Sequence, residues 1–128
     1  MKAVLDTSVF IARESGRELE SFPPGRQVAV SVVTIAELEM GVLAAEEPAA
    51  RARRLTTLRG AEHSTPLPVT REIAARFAEL VVSMRAAGET KLGVQDAWIA
   101  ATALHHDAEL WTQDDDFDRV PGLTVTRL

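Results

Sequence analysis

The run Val28-Ala29-Val30-Ser31-Val32-Val33 carries no charge, and four of its six residues are valine. A strand with no polar alternation needs cover on both faces, as in a parallel sheet held between helices. Ala3-Val4-Leu5 is a second short apolar run, stopped at once by Asp6, and Glu109-Leu110-Trp111-Thr112 is a third. Segments of helical spacing separate them. Ile73, Ala74, Phe77, Leu80, Val81 and Met84 fall on one helical face, with Thr70 as its cap and Gly88 as its stop. Alternation of strands and helices predicts an α/β domain with a largely parallel sheet.

The remaining elements follow from local signals. Thr7-Ser8 caps a short helix reaching about Arg13, and Pro23-Pro24-Gly25 marks a turn. A helix is expected from about Thr34 to Ala45, and another opens at Pro48 and stops at Gly60. Pro66 to Val69 reads as an extended edge segment. Asp96 to about His105 reads as a helix whose Ala97, Ala100, Ala101 and Leu104 face inward, small enough for close packing on the sheet. Gln113 to Asp118 is a polar turn, and Leu123 to Thr126 a final strand.

The length of 128 residues favours one domain, and 46% hydrophobic with 26% charged residues matches ordinary globular chains rather than disorder. There is no cysteine, which removes disulfides, thiolate zinc sites and cysteine nucleophiles from consideration. The first residues do not form a signal peptide, and no segment approaches the roughly 20 apolar residues of a membrane span. A cytoplasmic protein is expected. The net charge of −5 is unusual for a nucleic-acid binder, which normally presents a basic surface.

The acids are placed suggestively. In open parallel sheets, ligands bind outside the carboxyl ends of the strands. Asp6 ends the first strand, Glu37 follows the second, Asp96 opens the small-residue helix, and Asp114, Asp115 and Asp116 follow the strand ending at Thr112. Each has a purely structural alternative. Asp6 can cap a helix, and Thr34-x-x-Glu37 matches a capping box. Asp96 suits a helix's first turn, and the aspartate run suits a solvated turn. Jointly they are harder to explain, because gathered carboxylates repel and call for a cation. Oxygen donors without cysteine favour Mg²⁺ or Mn²⁺ over zinc.

Val4-Leu5-Asp6-Thr7-Ser8, Thr34-Ile35-Ala36-Glu37-Leu38 with Gly41, Asp96-Ala97-Trp98-Ile99-Ala100-Ala101 and Thr112-x-Asp114-x-Asp116-Phe117 occur in this order. Together they resemble the PIN domain, specifically the VapC toxins of bacterial toxin–antitoxin pairs. The resemblance covers essentially the whole chain, as one domain over residues 1–128. It implies a PIN-like three-layer fold, a short, mostly parallel β-sheet flanked by helices. It also implies an endoribonuclease that cleaves RNA phosphodiester bonds with metal-activated water, using Mg²⁺ with Mn²⁺ as a possible substitute. Catalytic acids are then expected at Asp6, Glu37, Asp96 and Asp114, and metal ligands at Asp6, Asp96, Asp114 and Asp116. Glu37 positions or deprotonates the attacking water, while Ser8 and Thr112 orient the carboxylates. Which of Asp114, Asp115 and Asp116 bind the ion stays open.

The partners implied are RNA, a cognate antitoxin and a second copy of the chain. Lys91, Arg71, Arg13 and the Arg51–Arg54 stretch are candidate RNA contacts; paired or solvated surface positions are the alternative. Trp98 and Trp111 are expected in the core, and His105-His106 at a helix end. Met40, Val42 and Ile35, with Phe77 and Val81, serve either the core or a dimer. The rival functions are a non-catalytic PIN-like RNA- or protein-binding module and a metal-dependent nuclease acting on DNA.

Overall fold

Lys2–Leu5 forms the central strand, β1, of the computed structural model, which describes residues 2–128. The chain continues through α1 (Thr7–Glu14), β2 (Gln27–Ser31), α2 (Val32–Ala44), α3 (Pro48–Glu62), β3 (Pro66–Leu67) and α4 (Arg71–Ala86). It closes with α5 (Val94–His105), β4 (Glu109–Thr112) and β5 (Val125–Arg127). The five strands lie in the order β3-β2-β1-β4-β5, and every pairing is parallel. Leu5 is level with Val30 on one side and Trp111 on the other, so β1, β2 and β4 end side by side.

Side chains alternate across the sheet with the period of two that strands impose. Val4, Ala29 and Leu110 face α4 and α5, where they meet Leu80, Met84, Ala97, Ala100 and Ala103. Ala3, Leu5, Val30 and Trp111 face the other way, against Val9 and Phe10 of α1, Leu38 and Val42 of α2, and Leu58 and Ala61 of α3. Two cores on either side of one sheet explain why the strands are apolar throughout. Each fully buried large side chain in them contributes roughly 1.5–3 kcal/mol. Ala100, Ala101 and Ala103 are fully buried, so α5 lies close to the sheet, as its small residues predict. No helix among the described residues is long and apolar enough to cross a membrane.

Several boundaries differ from the expected ones. β2 stops at Ser31, not Val33, because the Ser31 hydroxyl accepts from the Val33 N–H at 3.0 Å and so caps a helix that begins at Val32. Thr34 therefore sits inside α2, and the capping-box reading of Thr34 and Glu37 is wrong. Asp6, not Thr7 or Ser8, occupies the N-cap position of α1, and its side chain makes no capping bond. Gly60 does not end α3. Buried Leu58 and Ala61 hold the helix through Glu62, offsetting the roughly 1 kcal/mol that a helical glycine costs relative to alanine. The reversal comes at Thr65, at φ 50°. α5 starts at Val94 behind Gly93, and the last strand is Val125–Arg127 rather than Leu123–Thr126. Thr70 does cap α4, accepting from Ile73 N–H at 3.3 Å, and Gly88 follows it at φ 74°.

Trp111 is fully buried, and Trp98 stacks on Phe77 at 3.7 Å between ring centroids, so both indoles are packing groups. Val42 is buried, and Ile35, Phe77 and Val81 pack on the cores. Met40 alone among those helix candidates is exposed, with Leu43 beside it.

Candidate active site

Because β1, β2 and β4 end level, the residues just past them share one edge of the sheet. Asp6 follows β1 and is only 2% exposed. Its N–H donates to the Trp111 carbonyl at 2.9 Å, which fixes the backbone at the carboxyl end of the sheet. The side chain is fixed as well. Oδ2 accepts from the Ser8 hydroxyl at 2.7 Å and from the Thr112 hydroxyl at 2.9 Å. Each hydroxyl has one hydrogen, and both are committed to Asp6. The two hydroxyl oxygens then accept backbone N–H groups of the next loop, Ser8 from Gln113 and Thr112 from Asp114, each at 3.0 Å. The two hydroxyls hold the Asp6 carboxylate, the contact the resemblance implied for them, and also tie the loop carrying the late acids to it.

Glu37 lies in the second turn of α2. Its Oε1 accepts from the Thr7 hydroxyl at 2.7 Å. Burial raises its pKa; the Thr7 hydrogen bond opposes this, and the Asp6 charge adds to it. Asp96, in the first turn of α5, is pushed up to about 7 by burial and by Asp6, Asp116, Glu37 and Asp114. Asp114 is also raised, first by burial and then by Asp6, Asp116 and Asp115, with Arg127 opposing. Four chain segments thus bring Asp6, Glu37, Asp96, Asp114 and Asp116 within electrostatic reach of one another.

Asp115 behaves differently from its neighbours. It forms an ion pair with Lys91 at 2.7 Å on the surface, and that hydrogen bond holds its pKa low. Within the aspartate run, Asp114 and Asp116 act on Asp96 of α5, and Asp115 turns to a lysine.

The other suggested contacts are largely occupied. Arg51 and Arg54 donate to the carbonyls of Ala45 and Gly41 at 2.7 Å, fastening α3 to the end of α2. Arg13 lies over the Phe22 ring at 4.7 Å. His105 and His106 close α5 with their rings in edge contact. His106 is held low by burial, by His105 and by Lys2 of β1, so the pair belongs to the opposite end of the sheet.

All the donors in the cluster are carboxylate oxygens, which suits a hard divalent cation. No three acid or histidine side chains among the described residues close on one point as a ready-made cage. That arrangement still fits magnesium, which keeps several waters and takes one or two carboxylates directly. Thr7 and Thr34 were missed as members of the site. Their hydroxyls lie 2.9 Å apart, joining α1 to α2 next to Glu37. In the sequence both stand within motifs that also read as helix caps, and nothing local distinguishes the two uses.

Comparison with known proteins is consistent along the chain. The PIN domain family matches residues 3–123. Ribonuclease VapC5 of Mycobacterium tuberculosis is 44% identical over 93% of this chain and 87% of its own. Ribonuclease VapC4 of the same organism is 41% identical over 97% of this chain and 95% of its own. A solved member of the VapBC family of toxin–antitoxin systems, VapBC-5 of M. tuberculosis, superposes with a TM-score of 0.85 at 40% identity. That match covers 99% of this chain and 97% of the other.

Proposed function

This chain belongs to the PIN-domain family, and on that premise we propose that it is a divalent-metal-dependent endoribonuclease, the toxin of a VapBC-type toxin–antitoxin pair. The observation that carries the reading is the unpaired acid cluster at the carboxyl end of the sheet, with Asp96 pushed up to about 7. A fold keeps such a cluster against its own repulsion when a cation completes it.

Asp6 and Asp96 are the direct ligands in this reading, and Asp114 and Asp116 complete the shell, directly or through water. A divalent cation held by these residues, Mg²⁺ or Mn²⁺, would offset their charge and polarise the scissile phosphate. The chain's own residues do the rest. Ser8 and Thr112 hold Oδ2 of Asp6, fixing that carboxylate in direction. Asp96, raised to about 7 by burial and its acidic neighbours, would be favoured in its ionised form by a cation held beside it. Glu37, tied through one oxygen only, keeps the other for the proton of the attacking water. Attack by water leaves 5′-phosphate and 3′-hydroxyl ends, whereas attack by the substrate's 2′-hydroxyl leaves a cyclic phosphate.

The partner in this reading is an antitoxin that covers the acid edge, and the exposed Met40 and Leu43 of α2 offer it an apolar face. The expected homodimer belongs to the same reading. The test is cleavage of total cellular RNA by the purified chain, freed of partner, with Mg²⁺, with Mn²⁺ or with excess chelator. Metal-dependent fragments with 5′-phosphate ends, absent from a folded Asp6→Asn variant, support the reading. A folded protein that neither binds Mn²⁺ by calorimetry nor cleaves RNA overturns it.

A further inference from the structure

We propose that Thr34 and Thr7 form a directed hydroxyl relay that positions Glu37, making Thr7 a positioning residue of the reaction. This rests on the reading of Glu37 as the group that serves the attacking water. Thr7 Oγ1 lies 2.7 Å from Glu37 Oε1 and 2.9 Å from Thr34 Oγ1. A hydroxyl has one hydrogen. The carboxylate can only accept, so the Thr7 hydrogen goes to Glu37. Thr34 must then donate to Thr7, and the relay runs Thr34 to Thr7 to Glu37.

The position of both threonines in their helices explains why their hydroxyls are available. Deeper in a helix, threonine returns its hydroxyl to the carbonyl four residues back. Thr56, Thr57 and Thr102 do so, onto Ala52, Arg53 and Trp98. Thr7 and Thr34 sit in first turns, where the residues four back, Ala3 and Val30, belong to strands β1 and β2. Neither hydroxyl has that helical partner. Both residues are buried, Thr34 completely, so each hydroxyl needs a bond elsewhere. They find it in each other and in Glu37.

Glu37 needs the relay because it is only half-buried, and a free glutamate has several rotamers. Fixing such a chain costs side-chain entropy, which one good charged hydrogen bond offsets. Asp6 shows the same device at the neighbouring carboxylate, with Ser8 and Thr112 as the hydroxyls. The two differ in what lies behind them. The Asp6 hydroxyls lean on backbone N–H groups, and the Glu37 hydroxyl leans on a second threonine.

The test uses an RNA oligonucleotide carrying a cleavage site found in the cellular pool, with Mn²⁺. Thr7→Val, nearly equal in size, should lower kcat about 10–30-fold with KM within about 2-fold, a loss typical of a misdirected general base. Thr7→Ser should recover to within about 3-fold, and Thr34→Val should lose about 3–5-fold. Mn²⁺ affinity should stay within about 3-fold in all three, because the relay ends on Glu37 and not on Asp6. In a Glu37→Gln background, Thr7→Val should cost less than about 2-fold more, as expected for residues acting as a unit. Multiplying losses, or loss of Mn²⁺ affinity in Thr7→Val, would overturn the relay. So would a fully active Thr7→Val beside an impaired Glu37→Gln, while leaving the role of Glu37 standing. A fully active Glu37→Gln would remove that role itself. If Thr7→Val does not fold, the Thr34→Val and Thr34→Ser pair decides: equal loss in both overturns the relay, and recovery by serine supports it.

Discussion

At the amino end of β4, Glu109 accepts from the Trp111 indole at 3.0 Å and faces the Arg26 guanidinium at 3.4 Å. Three residues on, Thr112 ends the strand, and Asp114 enters a neighbourhood of other carboxylates. Neighbours move the two acids in opposite directions. The Trp111 hydrogen bond, with Arg26 behind it, lowers Glu109, whereas burial and surrounding acids raise Asp114. Elsewhere on the surface, Asp115 has Lys91 and Asp118 has Arg127. The chain therefore has cations available for its acids, and the carboxyl edge of the sheet is where they are left unmatched. An acid with a partner contributes to the fold, and an acid among acids is held there by the fold.

The sharpest test of that contrast sets Asp6→Asn against Glu109→Gln. The first should reduce RNA cleavage by about 10³-fold or more with the fold intact, by far the largest effect expected. Glu109→Gln should leave cleavage within about 2-fold and lower stability by about 1 kcal/mol, read from denaturant unfolding. Equal activity in both variants would erase the distinction between the two ends.

The second test is stability against pH without metal. Asp96 has a folded pKa of about 7 against an ordinary 3.8. At low pH both states keep the proton, and burial of the acid costs nothing. Between about pH 4 and pH 7 the unfolded chain ionises first, so the folded state loses stability as pH rises and levels off above. Saturating Mg²⁺ should flatten that slope. Asp96→Asn should raise the metal-free Tm at pH 8 by about 3–6 °C, equivalent to roughly 1 kcal/mol after solvent screening. A metal-free Tm indifferent to pH from 4 to 8 would contradict the crowding of these acids. The smallest effect belongs to Asp115→Asn, which breaks only an exposed pair with Lys91. It should change cleavage less than about 3-fold and leave the denaturant midpoint unmoved.

Much of this was legible in the residues, because burial on both faces leaves a mark that needs no partner to be read. The valine run of β2, the apolar stop at Asp6 and the alanine face of α5 each announced a sheet between helices. The acids were found the same way, from where strands end. What stayed hidden depended on distant partners. Four valines said strand up to Val33, yet one hydroxyl at Ser31 turned the chain two residues sooner. Thr34 and Glu37 looked like a local cap until Thr7, 27 residues from Thr34, was seen to stand between them. The order of Asp114, Asp115 and Asp116 could not separate three equal side chains, since what distinguishes Asp115 is Lys91 from another loop.

The bond from Thr112, the last residue of β4, to Asp6, just past the neighbouring β1, joins residues 106 positions apart. During synthesis the first acid is therefore laid down long before the strand that aims it, and a nascent chain that has not yet placed β4 holds no assembled site. The same span ties activity to the whole fold. Peeling β4 from β1 frees Asp6 and opens both cores together, so heat or denaturant should extinguish function and tertiary structure in a single transition, with no inactive native-like stage between them.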